Sequence, residues 1–205
     1  MRHSILALLS SAILLLPISA HAAAVVGKPA PQFKTTATDD APIKPSFYSD
    51  KGQILVLEWT NPDCPFVHKH YDSDNMQELQ LYAVRKNVVW LTINSSAPGK
   101  EGHLDALQVR NYIENNKVGS SHYILDPTGA IGKLYGAKTT PHMFVIDQKG
   151  VVAYMGAIDD KPTPNPATLK DARNYVREAI DSLLAGKPVA VKSTQSYGCS
   201  VKYGD

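Results

Sequence analysis

The 205 residues, 43% of them hydrophobic and 20% charged, describe a chain long enough to bury one substantial core. A formal net charge of +2 without a dense lysine run gives no electrostatic case for nucleic acid. There is no internal repeat or low-complexity tract, and the chain has two cysteines, Cys64 and Cys199.

Residues 1–22 read as a signal peptide rather than as part of the fold. Arg2 supplies the positive start, Ile5 to Pro17 the apolar stretch, and Ala20-His21-Ala22 a small-x-small cleavage site. The apolar stretch is too short to span a membrane, so cleavage after Ala22 and export, periplasmic or secreted, are expected. The mature chain then has no membrane span and is nearly neutral, with 20 basic against 19 acidic residues. Export also permits disulfides. Residues 23–205 are expected to form a single domain with a cysteine-bearing tail from about residue 187.

From Ala23 to Lys51 the chain is polar and broken by Pro29, Pro31, Pro42 and Pro45, an irregular lead-in with short strands at most. Ile54 to Trp59 is an apolar run that ends at the turn formers Thr60, Asn61, Pro62 and Asp63. Cys64 follows, and Pro65 suits the first position of a helix because its missing N–H has no intrahelical partner to lose. The pattern is a buried strand, a tight turn and a cysteine at a helix start. Unpaired N–H groups and the positive end of the helix dipole there favour thiolate over thiol.

Met76, Leu79 and Tyr82 resume helical spacing, and Val88 to Ile93 is a β-rich buried run. Pro98, Gly99 and Gly102 mark a loop, Leu104 to Lys117 a helix, Tyr123 to Leu125 a short strand, and Ala130 to Tyr135 a short helix stopped by Gly136. Thr139 to Asp147 places Pro141 directly before an apolar strand, where proline belongs at the first residue. Val151 to Met155 pairs with that strand through the turn Gln148-Lys149-Gly150. Asp159 to Pro166 reads as a surface loop. The last helix is expected to be capped by Asn165 or Thr168, to use Leu169, Ala172, Val176, Ala179, Ile180 and Leu183 as its apolar face, and to stop at Gly186. The tail after Lys187 lacks helical periodicity and carries Gly198-Cys199-Ser200.

Strand, turn, Cys64-Pro65 and helix together resemble the active-site corner of the thioredoxin superfamily. The stretch CPFVHKHYDSDNM is similar to a redoxin group related to peroxiredoxins, the alkyl hydroperoxide reductase/thiol-specific antioxidant superfamily. The resemblance implies an α/β thioredoxin-like fold: a central mixed β-sheet with helices on both faces, and an N-terminal redoxin-type extension around Val25 to Phe33. It implies a thiol oxidoreductase with antioxidant character and no cofactor. Cys64 would be the nucleophile, a peroxide or a disulfide its substrate, and an external thiol its reductant. Val67 stands where a thioredoxin has its second cysteine. Cys64-Pro65 matches the peroxidatic pair of peroxiredoxins, but Asn61 replaces the family's threonine or serine and Leu57 its proline.

Thr140-Pro141 before a strand ending in Ile146-Asp147 is similar to the cis-proline loop that faces the nucleophile in this superfamily. The match implies that Pro141 lies beside Cys64 and that the Thr140 backbone is free to pair with a bound thiol or peptide. Trp59 and Asn61 join Thr140 and Pro141 as expected supporting or substrate-binding residues. Glu58 either points away from the core or sits buried beneath the site. Cys199 is the other cysteine and the expected redox partner of Cys64. The bridge could be catalytic, could be a structural disulfide, or could be absent, with external thiols resolving Cys64. Two other functions remain open. One is a copper-binding thioredoxin-like chaperone using Cys64, His68 and His142; the other is a thioredoxin-fold binding protein without catalysis.

Overall fold

The computed structural model describes residues 23–204; the expected signal peptide, 1–22, lies outside them. The fold is built on β3, Leu55–Thr60, every residue of which is buried. A strand covered on both faces needs apolar side chains in succession, which is why this run reads as continuous rather than alternating. It pairs in parallel with β4, Val89–Asn94, which pairs in parallel with β5, His122–Leu125. On its other edge it runs antiparallel to β7, His142–Ile146, and β7 antiparallel to β8, Val152–Gly156. The central sheet is therefore mixed, in the order β5-β4-β3-β7-β8.

The period of two along β3 divides the core. Leu55, Leu57 and Trp59 face a cluster with Leu91, Ile124, Phe144 and Tyr135. Ile54 and Val56 face the other, with Val67, Met76, Leu79, Trp90, Val145, Val176 and Ile180. Helices α2, Pro65–Tyr71, α3, Asn75–Arg85, and α6, Tyr175–Leu184, cover this second face. Helices α1, Pro45–Ser49, and α5, Ala130–Tyr135, contribute Tyr48, Ile131 and Tyr135 to the first. Gly136 ends α5 in the left-handed region, at φ 67°, as its place in the sequence predicts. Helix α4, Ala106–Asn115, starts two residues later than the sequence pattern because Asp105 and Gln108 form a capping box. Among the described residues no helix is long and apolar enough to cross a membrane.

Three expectations are corrected. The lead-in has the short strands expected, β1 at Thr35–Thr36 and β2 at Pro42–Ile43, paired as a hairpin, but it also holds helix α1, which Pro45 begins. The last helix is interrupted: Asn165 caps only a 3₁₀ turn, Pro166–Asp171, and α6 begins at Tyr175 under an Asn174 cap. The break comes from pairing outside the helix. Asp159 and Asn174 form an antiparallel bridge, and the Asp160 carboxylate accepts from Arg173 N–H at 3.0 Å, so this backbone is held extended. The tail, finally, is ordered. Cys199–Ser200 form β9, which pairs antiparallel with β6, Thr139–Thr140.

Candidate functional site

Cys64 is the N-cap of α2, in extended conformation, and is fully buried. Its carbonyl starts the helix by accepting from Val67 and His68 N–H, both at 2.9 Å. The turn before it is clasped from outside. Asn61 Oδ1 accepts from Asp63 N–H at 2.8 Å, its Nδ2 donates to Glu101 O at 3.3 Å, and Asp63 accepts from Gly102 N–H at 2.9 Å. Gly102 has φ +75° and a Cβ there would lie 2.0 Å from Asn61 Oδ1, so only glycine fits. Asn61 thus ties the cysteine turn to the 101–102 loop, and its hydrogen bonds go there rather than to the thiol.

The Cys64 thiol donates to the Thr140 carbonyl at 3.1 Å. The Thr140–Pro141 bond is cis, so the loop expected from the resemblance lies against the cysteine. The Thr140 backbone is not vacant, however: across from it in register is Cys199. Gly198 makes this approach possible. At φ +131° it presses on the turn, and a Cβ would lie 2.0 Å from the Thr140 oxygen. Cys199 therefore packs against the cluster that holds Cys64, and both cysteines are free thiols. Burial and then the neighbouring Cys64 push the Cys199 thiol up to about 12, so it stays protonated at neutral pH.

The other expected residues are placed elsewhere. Trp59 lies in the opposite face of the sheet, its ring 5.2 Å from that of Phe144 and its Nε1 donating to Ser95 Oγ at 3.0 Å. It is core packing and does not line the site. His68 is half-exposed and pairs with Asp72 at 3.4 Å. His142 is buried with its ring 4.6 Å from Phe144, and its Nδ1 accepts from Lys138 N–H at 3.2 Å. Burial lowers its pKa to about 4. Cys64, His68 and His142 are therefore not brought to one point, and among the described residues no group of three or more His, Cys, Asp or Glu is arranged for a metal ion.

Glu58 takes the buried alternative. On the α2–α3 side of β3 it accepts from Trp90 Nε1 at 2.8 Å, Tyr71 OH at 2.9 Å, Gln80 Nε2 at 2.9 Å and Thr92 Oγ1 at 3.0 Å. Burial raises its pKa, and these four donors oppose the shift.

The sequence reading missed one cluster. Asp159, expected on a surface loop, is buried and receives Lys69 Nζ at 3.0 Å; both side chains are almost fully inaccessible. Tyr197, two residues before Cys199, donates its hydroxyl to the same carboxylate. No local pattern marks a lysine in mid-helix as buried; the signal is only that a carboxylate awaits it 90 residues on.

A family model described as Redoxin matches residues 25–176, a stretch that includes Cys64 and ends before the tail. Among solved structures, a hypothetical protein from Sinorhizobium meliloti 1021 is similar at TM-score 0.75 and 23% identity, covering 89% of this chain and 97% of that one. An uncharacterised conserved protein from Geobacillus kaustophilus also gives 0.75, at 27% identity, covering 88% and 93%. A candidate thiol:disulfide interchange protein, DsbE, from Chlorobium tepidum gives 0.51 at 21% identity, covering 65% and 85%. No curated protein matches the chain. The mixed five-strand sheet, the helices on both faces and the cis-proline turn at a helix-capping cysteine are those of the thioredoxin-like fold.

Proposed function

The chain belongs to the redoxin family, and on that premise we propose that it is an exported thiol–disulfide oxidoreductase, with Cys64 the nucleophile and Cys199 its partner. Family membership carries a thioredoxin-like redox function in general. The roles of the two cysteines rest on one observation: both meet at Thr140, Cys64 by its thiol at 3.1 Å from the carbonyl and Cys199 across from it in register, although 134 residues intervene.

The chemistry follows from their unequal surroundings. Cys199 holds its proton, which leaves Cys64, at the start of α2, as the attacking sulfur. Its proton, held on the Thr140 carbonyl in the dithiol, passes to solvent before the attack and is returned to the second thiolate expelled. Cys64 thiolate attacks one sulfur of a disulfide RSSR and expels one RS⁻. Cys199, losing its proton to that leaving group, attacks Cys64 in the mixed disulfide and expels the second. The sum is two protein thiols plus RSSR giving the Cys64–Cys199 disulfide and two RSH, and an external dithiol reverses it. A disulfide is favoured over a peroxide because, among the described residues, every arginine is exposed whereas Cys64 is fully buried, which leaves no guanidinium beside the thiol to polarise an O–O bond. The described arginines, Arg85, Arg110, Arg173 and Arg177, belong to helices α3, α4 and α6 or the turn before α6.

The test is to equilibrate the protein in glutathione redox buffers and map disulfides by non-reducing peptide mass spectrometry. A Cys64–Cys199 peptide that disappears on reduction is expected, together with disulfide reductase activity that Cys64→Ser abolishes. Cys64 accumulating as sulfenic or sulfinic acid without that peptide overturns the pairing. A rate with hydrogen peroxide above that with disulfides would assign peroxide as the substrate. Export is tested by N-terminal sequencing of the protein from intact cells, with Ala23 expected first.

A further inference from the structure

Cys199 reaches Cys64 on a strand of two residues, too short to hold a tail in place by its ladder alone. On the N-terminal side of Cys199 side-chain chemistry adds an anchor. Tyr197 donates its hydroxyl to Asp159, and Lys69 Nζ donates to Asp159 at 3.0 Å, to Lys161 O at 2.7 Å and to the Tyr197 hydroxyl at 3.3 Å. The Lys69 ammonium also lies 5.4 Å above the Tyr197 ring, and Phe66 packs against that ring at 5.8 Å. Phe66 and Lys69 belong to α2, the helix that Cys64 begins. One short helix therefore carries the nucleophile at its start and the seat for Tyr197 a turn later. Tyr197, Gly198 and Cys199 lie in sequence as anchor, close contact on Thr140, and thiol.

We propose that Tyr197 is a positioning residue for the cysteine pair: its latch on the buried Lys69–Asp159 ion pair holds Cys199 against Cys64 and keeps the nucleophile covered. This rests on the reading of Cys64 and Cys199 as a redox pair. With the latch closed, the tail is already ordered in the dithiol, so closing the disulfide costs little further chain entropy and the effective concentration of Cys199 at Cys64 is high. With the latch open, the tail must be ordered as the bond forms. The disulfide is then easier to reduce, and Cys64 is open to outside reagents in the meantime.

Tyr197→Phe removes the hydroxyl and keeps the ring on Phe66 and Lys69. Two quantities are read on the full chain: the equilibrium constant for the reaction with glutathione disulfide, which yields the Cys64–Cys199 disulfide and two glutathione thiols, and the rate of Cys64 alkylation by iodoacetamide in the Cys199→Ser background. The variant is expected to lower the constant about tenfold, which corresponds to a potential about 30 mV less negative, and to raise the alkylation rate about tenfold. A change below twofold in both overturns the latch. Loss of the folded sheet in the variant overturns it too, because a tail latch leaves the five central strands intact. If the parent protein forms no Cys64–Cys199 disulfide at any glutathione ratio, the pairing reading fails. The alkylation arm then still decides whether Tyr197 covers Cys64.

Discussion

The two cysteines are held by different means. Cys64 sits where β3 ends and α2 begins, and its position is set by regular backbone and by the Asn61–Gly102 clasp. Cys199 sits on a tail bound to the body at separate points. Lys202 O accepts from Ala97 N–H at 2.9 Å, Val201 N–H donates to Lys138 O at 3.1 Å, Tyr203 OH donates to Ala137 O at 2.9 Å, and Tyr197 holds Asp159. A thiol fixed by a helix start cannot leave without unfolding that start, whereas one on a tail held by a few separate hydrogen bonds can be released alone. On the proposed reading the pair has one member built into the sheet and helix and one carried on the tail, and the latch governs access to the first.

The sharpest way to break this difference is to remove a group that both regions share. Asp159→Ala leaves the Lys69 ammonium buried on α2 without its carboxylate, and should cost roughly 3–5 kcal/mol of folding stability. Urea denaturation measures it, and a loss below 1 kcal/mol would show that the pair does not brace the helix.

Acid comes next. His70 and His142 are buried with pKa values lowered to about 4, by desolvation first in each case, from an ordinary value of 6.5. Between those pH values the unfolded chain binds the protons and the folded chain does not, so stability is lost as pH falls from about 6.5 towards 4. Each histidine contributes at most roughly 3 kcal/mol to that loss. Denaturation midpoints at pH 7 and pH 4.5 should differ accordingly, and His142→Phe should flatten the slope.

A smaller effect separates the regions. In Gly198→Ala the new Cβ meets the Thr140 oxygen and should lift the tail while leaving the sheet alone. Alkylation of Cys64 is expected to rise about tenfold, equivalent to about 1.4 kcal/mol of tail docking, with the main unfolding midpoint little changed. Least is expected from Tyr203→Phe, which deletes one hydrogen bond to Ala137 O and should cost about 1 kcal/mol of tail docking. Hydrogen exchange at Val201 is the measurement that reports it.

The sequence alone determined the rigid half of the site. An apolar run, turn formers, cysteine and proline define β3 and the start of α2 because each signal acts within a few residues of its effect. Thr140-Pro141 was legible by resemblance, and the order of the central strands and most helices by periodicity. Trp59 and Asn61 could be placed near the cysteine in the chain, but the pleat turns Trp59 to the other face and a distant glycine claims Asn61. Only the tertiary structure decided the half carried on the tail. A two-residue strand has no period to read, Lys69 on a short helix looks like a solvated residue, and Asp159 looks like loop. These groups acquire their roles from partners tens of residues away, and an isolated stretch of sequence carries no energy term for a contact it does not contain.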